Sequence, residues 1–189
     1  ENDGAYEQAP REELKSWREM EPGEKLRRIR EAGIAGMGGA GFPTHVKLAV
    51  RNPKKIRYVI VNGTECEPYM TSDYRRMVEE PERLAEGLAM VLSLFERAVG
   101  IIAVEDNKRD AITALQLAVR SEARMEVRVF ETKYPQGAER MLIYTVTGQE
   151  IDSTQLPEDA GCVVLNVETV CAIWEALAEG RPLTRRAVT

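Results

Sequence analysis

The sequence contains few of the side chains that metal sites and hydrolytic sites require. It has one histidine, His45, and three cysteines, Cys66, Cys162 and Cys171, of which no two form a C-x-x-C pair. These residues do not predict a zinc or iron–sulfur site, because such sites combine several thiolate or imidazole ligands. The sequence also lacks G-x-S-x-G and G-K-[ST], which disfavours a serine hydrolase and a P-loop nucleotidase. Three unpaired thiols are typical of a reducing cytoplasm.

The chain also lacks long apolar runs and an excess of basic residues. Its longest apolar stretches, residues 58–61 and 88–95, are far shorter than a membrane span. The net charge is −5 over 189 residues, and no lysine and arginine cluster is interleaved with aromatic residues. We therefore expect neither direct insertion into a membrane nor binding to nucleic acid. The hydrophobic content of 43% is that of an ordinary globular protein of one domain, or one and a half.

Glycine is concentrated in one segment, Gly36 to Lys47, with the sequence GMGGAGFPTHVK. Gly36, Gly38 and Gly41 match the dinucleotide-binding pattern G-x-G-x-x-G, which normally follows a β-strand. Here the preceding residues 24–32 are charged and have a helical pattern, so an ordinary Rossmann unit is disfavoured. We interpret the segment as a loop that surrounds a phosphate or a ring. The alternative is a purely structural turn, because glycine is favoured wherever φ is positive.

Short β-branched runs alternate with helical patterns from residue 57 onward. The predicted strands are residues 57–62, 100–105, 125–131 and 162–166. The predicted helices are residues 73–80, 82–98, 107–121, 136–147 and 168–178, with Pro81 dividing the first two and Asn107 capping the third. This alternation predicts a Rossmann-like α/β fold, a mostly parallel sheet covered by helices on both faces, with the glycine-rich loop N-terminal to it. Residues 148–161 are predicted to form a loop or a small hairpin.

Polar side chains follow each predicted strand. In a parallel sheet the carboxyl ends of the strands meet at one edge, where ligands bind. The residues concerned, at the four strand ends, are Asn62, Glu65, Glu67, Glu105, Tyr134, Glu139, Asn166 and Glu168. Each has a structural alternative, with the asparagines as turn formers and Glu168 as a charge favoured by the helix dipole. Such side chains are better suited to holding a cofactor than to unaided catalysis, so we expect a bound redox cofactor.

Four ordered segments resemble a known family. They are GMGGAGFPTHVK, VNGTECEPYMTSD (residues 61–73), TKYPQGAER (residues 132–140) and LNVETVCAI (residues 165–173). They resemble the flavin-binding domain of the RnfC-type subunit of the Rnf electron transport complex. The 51 kDa flavoprotein subunit of respiratory complex I and the RnfC-like partners of cobalamin and proline reductases are similar. The resemblance covers about residues 30 to 189.

The resemblance implies a site for FMN with NADH stacked over it. The residues that it places around FMN are Gly36, Gly38, Gly39, Lys47, Asn62, Glu65, Asn166 and Thr169. The residues that it places on the NADH side are Phe42, Glu67, Tyr134 and Glu139. No metal ligand and no catalytic side chain is implied. Thr64 and Ala138 depart from the complex I pattern, which has Asp and Glu there.

The resemblance also implies a place in a larger oxidoreductase. Residues 1–30 are expected to lead in from a preceding domain, and residues 31–189 to form the FMN- and NADH-binding domain of a longer protein. Its 4Fe-4S clusters are expected outside this chain, and its partners are other subunits of a redox complex. The expected activity is transfer of electrons from NADH through FMN, in the cytoplasm or at the inner face of the membrane through those subunits. The alternative is a non-catalytic docking module that has lost nucleotide binding.

Overall fold

A computed structural model describes residues 16–186 and contains one parallel β-sheet. Its strands lie in the order β3, β2, β1, β4. Their bounds are β1 Tyr58–Gly63, β2 Val99–Glu105, β3 Met125–Phe130 and β4 Cys162–Asn166. Every neighbouring pair is parallel. The predicted strands and the parallel sheet are therefore confirmed, with strand ends within one residue of the prediction.

Helices cover both faces of the sheet. Their bounds are α1 Pro22–Glu31, α2 Thr44–Leu48, α3 Ser72–Glu79, α4 Pro81–Leu92, α5 Arg109–Val119, α6 Glu139–Thr147 and α7 Val167–Ala178. Alternate strand residues face opposite layers, as the two-residue period of a strand requires. Val59 and Val61 pack into the larger core with α3, α4, α5 and α7, whereas Ile60 packs into the smaller core with α6. The predicted fold class is thus confirmed.

Several predicted helix limits were wrong. The helix predicted over residues 82–98 ends at Leu92, because a turn over residues 93–97 leads into β2. Asn107 does not cap α5; Lys108 precedes that helix, and the Asn107 side chain accepts a hydrogen bond from Lys108 Nζ at 3.3 Å. The helix predicted over residues 136–147 begins at Glu139, because Pro135 and Gly137 lie in a turn. Residues 148–161 contain a short 3-10 helix, Pro157–Ala160, and no hairpin.

The described part of the predicted lead-in packs against the sheet domain. Ile29 of α1 is buried in the larger core. The indole N–H of Trp17 donates to Glu86 on α4 at 3.0 Å, and that of Trp174 on α7 donates to the same carboxylate at 2.8 Å. Residues 1–15 lie outside the described residues, and the predicted domain boundary near residue 30 stays a prediction. No helix within residues 16–186 is long and apolar enough to cross a membrane.

Candidate functional site

The glycine-rich segment is a closed loop between α1 and α2. Ala35 and Pro43 form an antiparallel bridge across its base, and the Gly36 N–H donates to the Phe42 carbonyl at 2.8 Å. Gly39 and Gly41 have φ values of +111° and +63°, a region that side chains with a Cβ disfavour. A helix precedes the loop, so the prediction that it lies outside an ordinary Rossmann unit is confirmed.

The loop presents backbone N–H groups that have no partner. Residues 37–40 form a turn, and within residues 16–186 no backbone hydrogen bond of standard geometry is donated by the N–H groups of residues 38 to 41. The neighbouring Met37 N–H donates to the hydroxyl of Thr169 in the first turn of α7, at 3.0 Å. Thr169 is fully buried, so its hydroxyl fixes the loop against α7. Successive N–H groups in a turn that lack strong partners within the protein are an arrangement that can bind an anion.

The loop and the carboxyl ends of β1 and β4 enclose a cleft of about 400 Å³, which we name the ligand cleft. It contains ten of the twelve predicted site residues: Gly36, Gly38, Phe42, Lys47, Asn62, Glu67, Tyr134, Glu139, Asn166 and Thr169. Asn62 and Asn166 are direct partners in the register of β1 and β4, which explains why they meet. Thr44 also lines this cleft, and its buried hydroxyl oxygen has no hydrogen-bond partner within the described residues.

A second space of about 480 Å³ adjoins the first and contains Gly39 and Glu65, the remaining two predicted residues. We name it the acidic cleft, because four carboxylates line it: Glu65, Glu67, Asp73 and Glu168. Arg186 lines it as well. The two clefts share Gly38, Asn62, Glu67, Gly137 and Asn166, so they form one continuous depression at the edge of the sheet.

Several predicted ligand residues also hold the protein scaffold. The Asn62 amide donates to the Gly137 carbonyl at 2.9 Å and accepts from the Thr64 hydroxyl at 2.7 Å. Asn62 therefore ties the end of β1 to the loop before α6. Glu65 is buried, and its carboxylate accepts the N–H groups of Asp73 and Tyr74 at 2.9 and 3.0 Å. It thus caps the start of α3, where a negative charge is favoured.

Asp73 is a site residue that the sequence prediction left without a role. Its carboxylate accepts a hydrogen bond from the Asn166 amide at 2.5 Å, and its side chain lines the acidic cleft. Burial and the nearby Glu65 carboxylate raise the pKa of Asp73 to about 7, although the Asn166 hydrogen bond opposes this shift. The sequence signal was its place in TSD, eight residues after Glu65 in a segment that was already identified.

Lys47 and Glu139 form an ion pair across the mouth of the ligand cleft. Lys47 Nζ lies 2.6 Å from a carboxylate oxygen of Glu139. Their side chains are 31% and 42% exposed, so both remain accessible to a ligand. The sequence prediction placed both residues in the site but did not pair them.

An apolar groove continues from the ligand cleft, with a volume of about 480 Å³. It shares Phe42, Lys47 and Glu139 with the cleft, and Val46, Val50 and Leu156 form much of its apolar wall. Phe42 and Leu156 are about half exposed. Such a groove suits a planar, largely apolar ring, and the sequence prediction did not include it.

The fold is an α/β fold with a cleft at the carboxyl edge of its parallel sheet, the edge where ligands bind in such folds. The chain belongs to the family described as the Nuo51 FMN-binding domain, which matches residues 29–175. It is 48% identical over 161 residues to one subunit of the Na(+)-translocating ferredoxin:NAD(+) oxidoreductase complex of Acetobacterium woodii, covering 85% of this chain and 36% of that protein. It is 46% identical over 175 residues to the corresponding subunit of the proton-translocating ferredoxin:NAD(+) oxidoreductase complex of Clostridium ljungdahlii, covering 93% and 38%. The predicted family resemblance is thereby confirmed.

A solved structure also shares the fold. The NAD+-reducing [NiFe]-hydrogenase in its air-oxidized state superposes with a TM-score of 0.73 at 23% identity, covering 88% of this chain and 32% of that one. The chain spans little more than a third of the length of the two relatives above. The activity, substrates and partners of a whole protein are therefore matters for proposal.

Proposed function

We propose that this chain binds FMN in the ligand and acidic clefts and serves as the electron-entry module of an NADH-linked oxidoreductase. The observation that carries the proposal is the run of N–H groups at residues 38 to 41, in the turn that lines both clefts, none of which donates a backbone hydrogen bond of standard geometry within the described residues. An anion accepts hydrogen bonds from such groups, and no Cβ at Gly38 or Gly39 holds it away. The buried Thr44 hydroxyl is a further polar group in the ligand cleft that lacks a partner among the described residues.

The side chains around the clefts fit the polar parts of FMN. The Asn62 and Asn166 amides each use one N–H within the described residues, and each amide nitrogen carries two. Lys47 supplies a positive charge at the cleft mouth. A bound flavin supplies the chemistry that accepts an electron pair and passes electrons on singly. The chain itself contributes binding, orientation and the surrounding charge.

NADH is the donor that the geometry supports. Phe42 and Tyr134 are 51% and 78% exposed and line the ligand cleft, where an aromatic surface can contact the nicotinamide or adenine ring. The apolar groove beside Phe42 offers a place for a second ring. Glu139 lies where the cleft and groove meet and can accept hydrogen bonds from ribose hydroxyls.

Thr64 and Ala138 occupy positions where the complex I pattern has acidic residues. Thr64 is buried and donates to Asn62, whereas Ala138 directly precedes α6 and is exposed in the ligand cleft. The site therefore has fewer acidic groups for NADH than that pattern implies. We propose weaker NADH binding than a site with both acids, with Glu67 and Glu139 as the remaining carboxylates.

The two curated relatives are each named as part of a ferredoxin:NAD(+) oxidoreductase complex that translocates ions. By analogy, we propose that the partners of this chain are other subunits of a redox complex. We propose that the acceptors are 4Fe-4S clusters in other parts of the protein or complex, and that the complex holds the chain at the inner face of the membrane.

Titration of the purified protein with FMN, followed by flavin fluorescence, tests the proposal. We expect a saturable change, and weaker binding of riboflavin, because riboflavin lacks the phosphate that the loop N–H groups would bind. The absence of a saturable change at hundreds of micromolar FMN would contradict the proposal. That result would favour the alternative of a docking module that keeps the fold without the cofactor.

A further inference from the structure

The Asp73 carboxylate lies beside the start of α7 and lines the acidic cleft. Asp73 is the second residue of α3 and is 7% exposed. Its carboxylate accepts the Asn166 amide N–H, and the backbone N–H of Glu168 in the first turn of α7 also favours its ionised form. Gly38 and Gly39, whose N–H groups have no partner among the described residues, line the same acidic cleft. An anion bound by those N–H groups therefore shares the cleft with the Asp73 side chain.

The other charged groups around Asp73 are held by partners or lie closer to solvent. Glu65 caps α3 by accepting two backbone N–H groups. Glu168 accepts a hydrogen bond from the Arg76 guanidinium at 2.9 Å. Glu67 and Arg186 line the same cleft and are exposed. Burial and the negative charges of the Glu65 and Glu168 carboxylates raise the pKa of Asp73 to about 7, although the hydrogen bonds from Asn166 and from the Glu168 N–H oppose this shift. Asp73 is therefore the buried carboxyl of this cleft that changes charge near neutral pH.

We propose that Asp73 couples ligand binding to proton uptake: it gains a proton when a phosphate-bearing flavin enters the acidic cleft and loses it when the flavin leaves. This inference rests on the proposed function, and it gives a proton-binding role to Asp73, which was not among the predicted site residues. A second negative charge in the cleft disfavours the ionised carboxylate. Protonation removes that repulsion and leaves an O–H that can donate to a ligand oxygen.

The coupling fixes the direction of the pH dependence. Between the pKa of Asp73 in the free protein and its higher pKa in the complex, each flavin that binds brings close to one proton with it. The affinity for FMN then falls as the pH rises, by up to about tenfold per pH unit where coupling is complete. Riboflavin has the same ring and ribityl chain without the phosphate, so its affinity should depend much less on pH.

The test is the dissociation constant of FMN between pH 7 and 9, measured by flavin fluorescence for the wild type and for Asp73→Asn. In this range a phosphate monoester, with a second pKa of about 6, is already a dianion. We expect the wild-type affinity to fall with pH and the variant to give a nearly flat profile. Asp152→Asn, in the loop before β4 and away from both clefts, is the matched control and should retain the wild-type slope.

A second measurement needs no variant, so the proposal stays testable if Asp73→Asn fails to fold. Calorimetric titration of wild-type protein at pH 8, in buffers with different heats of ionisation, counts the protons taken up per FMN. We expect a value close to one for FMN and close to zero for riboflavin. FMN binding without proton uptake would overturn this inference and leave the proposed function standing. Failure of FMN to bind at any pH would overturn both.

Discussion

The Lys47 ammonium and the Glu139 carboxylate lie 2.6 Å apart, and this ion pair joins α2, directly after the glycine loop, to the first residue of α6. The sequence resemblance gave the two residues separate roles, one beside FMN and one beside NADH. In the structure each of the two side chains neutralises the charge of the other. An exposed pair of this kind contributes little to folding, about 1 kcal/mol or less. Its main consequence is for the charge that a ligand meets in the cleft.

Replacement of Lys47 should weaken FMN binding without unfolding the protein. Lys47→Met keeps the length of the side chain and removes the only positive charge among the described residues that line the ligand cleft. It also leaves Glu139 as an unpaired negative charge there. We expect the dissociation constant of FMN to rise roughly 10-fold, which corresponds to about 1.4 kcal/mol. Lys54→Met, on the 3-10 helix Pro53–Lys55 that lies outside the clefts, is the control and should bind FMN normally. Equal affinities in both variants would show that Lys47 takes no part in binding.

A side chain at Gly39 should abolish flavin binding while the domain remains folded. Gly39 has a φ of +111°, and a Cβ built there meets no atom within 4 Å. Gly39→Val therefore strains the loop backbone and fills space in the acidic cleft, but it does not displace packed core residues. Gly148→Val is a matched control, because Gly148 also has a positive φ and open space but ends α6 outside the clefts. We expect native circular dichroism for both variants and loss of FMN binding only for Gly39→Val. Unfolding of Gly39→Val alone would show that the glycine is structural.

The sheet and the positions of its strand ends could be predicted from the sequence. Strands β1, β2 and β4 are short β-branched runs that are almost continuously buried, whereas the edge strand β3 has no fully buried residue. The pattern of the three buried strands requires no knowledge of distant contacts. Parallel strands then bring Asn62 and Asn166 to one edge, and the structure makes them direct register partners. Helix limits were less predictable. Residues 93–98 have a helical composition, but α4 ends at Leu92 because a turn leads into β2. Residues 136–138 were likewise predicted as helix, but α6 begins at Glu139, after a turn.

The pairing of side chains within the site could not be predicted. Asn166 was expected to contact a ligand, yet its amide also donates to Asp73, which is 93 residues away along the chain. Glu65 caps α3, a role that depends on how the loop after β1 turns back. The apolar groove is built from α2 and from residues 156–163, segments that carry no periodic signal linking them. Each of these features depends on long-range packing, which local sequence patterns do not report.

The raised pKa of Asp73 also predicts how stability varies with pH. Its pKa in the unfolded chain is near 3.8 and in the folded protein about 7, so the folded state binds more protons between these values. The stabilising contribution of protonated Asp73 to the free energy of unfolding is fully present below pH 4 and is lost as the pH rises through 7. The difference amounts to about 4 kcal/mol. The free energy of unfolding can be measured with urea at pH 5 and at pH 7.5. Between these two values the wild type should lose more unfolding free energy than Asp73→Asn, because only the wild type has the Asp73 carboxyl. Parallel profiles for the two proteins would contradict the assignment.

The charge of Glu139 should determine the choice between NADH and NADPH. Its carboxylate lies where the ligand cleft meets the apolar groove, so it can accept hydrogen bonds from ribose hydroxyls and repel an additional phosphate. We expect Glu139→Gln to narrow the preference for NADH in flavin reduction by roughly 10-fold, which corresponds to about 1.4 kcal/mol. The measurement is anaerobic bleaching of FMN bound to the protein, a signal that requires no iron–sulfur acceptor.

Lys47→Met separates the two effects of the Glu139 substitution. Both variants break the ion pair, but only Glu139→Gln removes the negative charge. If the charge of Glu139 discriminates, Lys47→Met should keep or increase the preference for NADH, because its Glu139 carboxylate is no longer neutralised. If both variants narrow the preference equally, the ion pair orders the cleft and charge repulsion is not the cause. If neither nucleotide bleaches FMN that is demonstrably bound, the donor is not a nicotinamide nucleotide, and the flavin site stands without it.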